Sequence, residues 1–183
     1  MQQGDFAADL DAIRKRAREH VEEGAVTAGY RANKDVVVKL LNDALATEIV
    51  CVLRYKRHYY SAKGMFAEPV AAEFLEHATE EQQHADWIAE RISQLGGEPN
   101  FNPDGLSKRS ASEYQEGSGL LDMIREDLIA ERIAIDTYKE MINYIGANDP
   151  TTRRLLEEIL EKEEEHAEDL SNMIVSMDGK KGS

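Results

Sequence analysis

Cysteine is almost missing from this sequence: its 183 residues include one, Cys51. A single thiol excludes an internal disulfide framework, a Cys-x-x-Cys redox centre and a four-cysteine zinc or iron site within the chain. It fits a reducing compartment, so a cytoplasmic protein is expected. Proline is scarce too, at four residues, which argues against long linkers and low-complexity stretches. No segment approaches the roughly 18 apolar residues of a membrane span, and the N-terminus lacks the basic-then-apolar order of a secretory leader. Strand alternation is rare, and both Asp-Gly pairs, at 104–105 and 178–179, sit in polar surroundings rather than at a hairpin. Positive charge is also in deficit. Lys and Arg number 22 against 36 Asp and Glu, a formal charge of −14, which opposes non-specific binding to nucleic acid or an anionic membrane and favours cations.

What remains is helical periodicity, and the fold class it predicts is all-α. Phe6, Leu10, Ile13, Ala17 and Val21 recur every three or four residues and predict an N-terminal helix over 5–23, stopped by Gly24. Four longer helices follow. The first is capped by Asn33 and runs to about Lys63, before Gly64; the second carries Pro69 in its first turn and ends at Leu95, before Gly96 and Gly97. Residues 96–118, with Pro99, Pro103 and several glycines, read as one long connection able to cross the domain. A third helix, capped by Ser118, ends before Gly146. The fourth takes Asp149 as cap and Pro150 as first residue and reaches about Met177. The expected organisation is an N-terminal helical arm (1–32), a four-helix bundle with one long crossover (33–178) and a short disordered tail (179–183), with no fifth C-terminal helix.

Each long helix has a seam of residues spaced by three and four, the stripe a bundle helix turns to its neighbours. The seams read Val37, Leu41, Ala44, Glu48, Cys51, Tyr55; then Phe74, His77, Glu81, His84, Ile88; then Ile124, Leu128, Glu131, Ile135, Tyr138, Ile142; and finally Leu156, Ile159, Glu163, His166, Leu170, Met173. Glutamate in such positions is anomalous, because an uncompensated buried carboxylate costs several kcal/mol. In Glu81-Gln82-Gln83-His84 and Glu163-Glu164-Glu165-His166 the histidine follows at i+3, so both side chains share one helix face and can grip one ion. The heights agree as well. The midpoint of positions 48 and 81 falls at Gly64, and that of 131 and 163 falls beside Gly146, as required if each helix pair is an antiparallel hairpin. The alternative, four solvated helix faces, needs all four seams to be misplaced. Four carboxylates are neutralised by two divalent cations, and carboxylate with imidazole but no thiolate suits iron first, with manganese open.

Glu48, Glu131 and the two Glu-x-x-His pairs together resemble the ferritin-like di-iron carboxylate family. The stretches EQQHADWIAERISQLGGEPN (81–100) and REDLIAE (125–131) look like bacterioferritin, over roughly residues 33–177. The resemblance implies a ferritin-like four-helix bundle with two irons per subunit, Glu81 and Glu163 bridging them, Glu48 and Glu131 capping one each, and His84 and His166 completing the set. It implies a ferroxidase that oxidises Fe(II) with O2 or H2O2 and stores or detoxifies iron in a hollow homo-oligomeric cage. Tyr55 falls where bacterioferritins carry a tyrosine near the centre and joins the catalytic candidates Glu81 and Glu163; a core aromatic is the plainer reading. Asp127 reads either as the partner that orients a ligand histidine or as surface charge. His77, about 10 Å along the helix axis from His84, reads as a satisfied core histidine too far away to ligate, and Cys51 as a small buried residue. His20 and His58 stay unassigned.

Departures from the family matter equally. Gln82 stands where bacterioferritin has its haem-ligating methionine, so no haem is expected. The short tail and N-terminal extension resemble the Dps-like bacterioferritins, which build 12-subunit cages, although the cysteine pairs typical of some of them are absent. Ordinary Dps proteins place their iron site between subunits, whereas here one chain carries all six ligands. DNA binding is not expected. Arg14, Lys15, Arg16 and Arg18 form a small basic cluster, but residues 1–35 hold six basic against seven acidic residues, and Lys180 and Lys181 make a weak tail. Two other readings stay open: a di-iron or di-manganese peroxidase or catalase without storage, and a DNA-compacting assembly protein.

Overall fold

The computed structural model describes residues 8–65 and 67–179. Among them are helices and no strands: α1 Leu10–Arg16, α2 Lys34–Ser61, α3 Ala67–Gln94, α4 Leu106–Arg109, α5 Leu120–Ile145 and α6 Pro150–Gly179, with a 3-10 turn at Val21–Glu23. The four long helices lie where periodicity put them, and side-chain caps account for two of the starts. Asn33 Oδ1 accepts the Val36 N–H (3.3 Å), and the Asp149 carboxylate accepts the Thr152 N–H (2.9 Å). α5 differs, because Gly119 rather than Ser118 holds the cap position; Ser118 instead gives its N–H and hydroxyl to Asp122 (2.7 and 2.9 Å). At the end of α3, Gly96 takes φ +73°, and a Cβ on Gly97 would stand 2.7 Å from Val38 Cγ1. The chain passes that close to α2 only because Gly97 has no side chain.

Contacts fix the topology. Arg91, late in α3, meets Asp149 and Thr152 at the start of α6, while His77, early in α3, stacks on His166; α3 and α6 are therefore antiparallel. Tyr138 reaches Glu48 and Arg54 reaches Asp127, so α2 and α5 are antiparallel as well. α3 and α5 then run the same way, and residues 95–119 must return along the whole bundle. That crossover is pinned to α2. Leu106, in the short helix α4, seats on Ala46 and Val50, Thr47 Oγ1 accepts the Ala111 N–H (2.9 Å), and the Arg54 guanidinium donates to the Glu113 carbonyl (3.0 Å).

Besides the small Leu106 contact, the core of the described residues has two larger apolar clusters. One packs Leu41, Leu45, Ile88, Ile92, Ile145 and Leu156 at one end; the other packs Tyr55, Phe74, Ile124 and Leu170 at the other. On α5 the buried line runs Ile124, Asp127, Glu131, Ala134, Tyr138, so Leu128, Ile135 and Ile142 sit half-buried on its flank. No helix among the described residues is long and apolar enough to cross a membrane.

Two expectations change. The N-terminal helix does not run on to Glu23: it ends at Arg16, and His20 takes a left-handed φ of 50° that a continuing right-handed helix does not permit. Leu10, Ile13 and Val21 remain 56%, 43% and 70% exposed, so their spacing does not record burial within this chain. Residues 5–7 of that expected helix lie outside the described residues, as do residues 180–183 of the expected tail. The second change is α4, a helical turn inside a stretch read as pure connection.

One ion pair ties bundle and crossover together. Asp127, fully buried, accepts from Arg54 Nε (2.8 Å) and His58 Nδ1 (2.7 Å), and His58 Nε2 faces the carbonyls of Gln115 and Glu116 at 3.1 Å each. Replacing Asp127 with Ala strands the buried Arg54 charge, and the expected loss is about 3–5 kcal/mol of stability, read by denaturation at matched protein concentration.

Candidate metal centre

Four helices each bring one glutamate to the same level of the bundle: Glu48 from α2, Glu81 from α3, Glu131 from α5 and Glu163 from α6. His84 and His166 follow one turn after the α3 and α6 glutamates and face the same axis. None of the six is more than 1% exposed. They crowd together. His84 Nδ1 lies 3.1 Å from Glu163 Oε1 and 3.4 Å from Glu48 Oε2; His166 Nδ1 lies 3.5 Å from Glu81 Oε1. Two sets of ligand-capable atoms result, each lying within 4.8 Å of one another: Glu48, Glu81, His84 and Glu163, and Glu81, Glu131, Glu163 and His166. Glu81 and Glu163 belong to both.

Hydrogen bonding leaves these groups unfinished. Among the described residues, the buried side-chain nitrogen and oxygen atoms without a hydrogen-bond partner are Glu48 Oε2, Glu81 Oε1, His84 Nδ1, Glu131 Oε2, both Glu163 oxygens and His166 Nδ1. All seven belong to these six residues, and all turn inward. Buried polar atoms are nearly always paired, so such a concentration fits cations, and carboxylate with imidazole suits iron or manganese. The charges strain against each other in the same way. Burial first, then the neighbouring Glu81 carboxylate, pushes Glu48, Glu131 and Glu163 above the usual carboxylate range. Glu81 goes the other way: burial opposes its charge, but the close Glu48, His166 and His84 side chains prevail and hold it low. Burial also opposes a charge on either histidine, yet the surrounding carboxylates raise His84 to about 10 and His166 to about 9. Without metal, protons do the neutralising.

Around these six stands a set of holders. The Tyr55 hydroxyl donates to Glu131 Oε1 and the Tyr138 hydroxyl to Glu48 Oε1. Each tyrosine lies seven residues after one terminal glutamate and clasps the other, so the two helix hairpins cross-brace. Glu80 Oε2 accepts from His166 Nε2 (2.7 Å), which turns the other ring nitrogen inward. The sequence pattern gives Tyr138 a place on the seam of α5 but no role at the site, and gives Glu80 neither. Tyr138 was within reach, since repeating the seven-residue step from Glu48 to Tyr55 in the second hairpin lands on it. Glu80, next to a ligand-type residue and off the seam, carries no such signal.

All six expected ligand residues and Tyr55 thus meet at one place, while two neighbours depart from expectation. Asp127 neither orients a ligand histidine nor lies on the surface; it binds Arg54 and His58. His77 is close after all: its ring stacks on His166 with centroids 4.0 Å apart, and it groups with Glu131 and His166 within 4.8 Å. Axial distance along α3 does not reveal this, because α6 runs antiparallel and brings His166 alongside His77. Cys51 is buried beside Arg54, and Glu161, Glu164 and Glu165 are exposed.

A model of the ferritin-like domain matches residues 38–179. The chain is 30% identical over 141 residues to bacterioferritin from Desulfovibrio desulfuricans, covering 76% of this chain and 75% of that protein. It is 28% identical to a nutrient stress-induced DNA-binding protein from Synechococcus, covering 73% of this chain and 78% of that one. Among solved structures it is similar to a dodecameric thioferritin, the bacterioferritin-related protein from Bacteroides fragilis, with a TM-score of 0.80, 29% identity, and coverage of 83% of this chain and 92% of that one.

A cluster of this kind is expected to couple metal to stability. At free Mn(II) near 100 times its dissociation constant, the folded protein gains about 2.7 kcal/mol over the chelated form, visible as a higher melting temperature; the gain disappears in the Glu81→Gln, Glu163→Gln double variant.

Proposed function

This chain belongs to the ferritin-like domain family, and from that premise we propose that it is a ferroxidase. It takes Fe(II) as substrate at the buried cluster, oxidises it with O2 or H2O2, and stores or detoxifies the product in a hollow cage of identical chains. The seven unpartnered inward-facing atoms carry this reading, because cations answer many dry acceptors at once. Glu81 and Glu163, common to both sets, are assigned to bridge two ions; Glu48 and Glu131 cap one each, and His84 and His166 complete the sets. Two Fe(II) ions held there supply one electron apiece, enough to take O2 to hydrogen peroxide or H2O2 to water with two protons. Manganese fits the same donors.

The protein's own residues fix geometry and keep the site dry. Tyr138 and Tyr55 hold the terminal carboxylates in orientation, and Glu80 holds the His166 ring; the apolar clusters on either side keep water out. No acid–base pair or nucleophile is required, since the metals themselves are oxidised. The excess of acidic residues draws Fe(II) toward the assembly. Gln82, whose amide donates to Asp86 Oδ1 (3.1 Å), offers no thioether, and we assign no haem. The likeness to the dodecameric Bacteroides fragilis protein supports a 12-subunit cage, and the near-absence of cysteine a cytoplasmic setting.

The Synechococcus relative, a DNA-binding protein by name, favours a second reading, DNA binding. Arg14, Lys15 and Arg16 do gather in the last turn of α1, but the net charge of −14 opposes it. A gel shift at physiological salt separates the two, and no shift is expected.

Glu81→Ala and His166→Ala are each expected to abolish rapid anaerobic-to-aerobic Fe(II) oxidation while assembly, measured as molar mass in solution, survives. Tyr138→Phe, which keeps every ligand, is expected to slow it by about 10–100-fold. Unchanged oxidation rates in both ligand variants reject the assignment.

A further inference from the structure

The two hairpins repeat each other at the six central residues but not beside them. On the His166 side, α3 adds His77 and Glu73 and α6 adds Asp169; the position of α6 that matches His77 is the apolar Ile159. We propose that Glu73, His77 and Asp169 form a further divalent-cation site, next to the central cluster and distinct from it, at the mouth of a groove between α3 and α6. One ligand-capable atom from each of the three lies within 4.8 Å of the other two. His77 is 2% exposed, whereas Glu73 is half-buried and reachable from solvent. Glu73 and Asp169 line a groove of about 350 Å³ that also passes Pro69, Asn172 and Met173. No described lysine or arginine makes an ion pair with either carboxylate, and burial first, then the Asp169 and Glu76 carboxylates, push Glu73 above the usual carboxylate range.

Hydrogen bonding aims His77 at this place. The Tyr55 hydroxyl donates to Glu131, so its oxygen is left to accept, and His77 Nδ1 stands 3.2 Å from it. The ring proton therefore belongs on Nδ1, which leaves the lone pair on Nε2. Nε2 faces Glu73 Oε1 at 3.5 Å, outside hydrogen-bonding distance. A buried neutral imidazole thus points its free lone pair between two carboxylates that lack a cationic partner. Two oxygens and one nitrogen, with room for water in the groove, suit a divalent ion such as Mn(II), Fe(II) or Zn(II). The same bonding explains why His77 does not join the central sets: the nitrogen on that side carries the proton held by Tyr55.

The test is an anomalous-difference map from crystals of the assembled protein soaked in Mn(II), for the wild type and for the Glu73→Gln, Asp169→Asn double variant. A peak among Glu73, His77 and Asp169 is expected in the wild type and lost in the variant, with one fewer Mn(II) per chain in equilibrium dialysis. Peaks inside the central cluster should persist in both. A wild-type map without the outer peak overturns the inference, as does an outer peak undiminished in the variant, or His77 bound with Glu131 and His166 instead. An outer peak with no central ones would sustain this site while removing the ferroxidase reading, so the two fail separately.

Discussion

Four carboxylates and two imidazoles enclosed between apolar layers set the terms for everything else in this bundle. A dry interior tolerates charge only when an opposite charge or a proton accompanies it. Here three of the four carboxyl groups are pushed toward their neutral form and both histidines toward their charged form. Protons therefore balance the cluster as it stands, and a cation that enters must displace them. This competition links folding, metal affinity and pH within one set of atoms.

Holding such a cluster open demands rigid walls. The helices supply them by cross-bracing: Tyr55 of the first hairpin clasps a glutamate of the second, and Tyr138 of the second clasps a glutamate of the first. The topology reinforces this, because antiparallel packing of α2 on α5 and α3 on α6 obliges the chain to cross the bundle between α3 and α5. Buried Arg54, His58 and Asp127 then anchor that crossover through its carbonyls. The near two-fold repeat is broken on the His166 side by Glu80, His77, Glu73 and Asp169, which set polar groups beside one half of the centre, while His84 of the other half packs on Trp87.

The helices and the six inward residues were legible in the sequence because both depend on local periodicity. Glutamate at a seam position is anomalous whatever the partner helix does, and the turn positions at Gly64 and Gly146 fix the heights. What was not legible depends on side chains meeting across helices. Asp127 lies one position off the seam as written for α5, and nothing near it in sequence announces Arg54 and His58. Distance along α3 sets His77 apart from His84 but says nothing of the antiparallel neighbour that brings His166 to it. The N-terminal segment shows the converse: Leu10, Ile13 and Val21 keep helical spacing, yet His20 breaks the helix and leaves them in water.

Cations, rather than protons, are what the cluster is built to hold. The decisive experiment is an iron-edge anomalous map from crystals loaded with Fe(II) under strict exclusion of oxygen. Two ions enclosed by the six side chains, with Glu81 and Glu163 touching both, are expected. Iron bound only elsewhere, with the four carboxyl groups still paired to one another through protons, would contradict it.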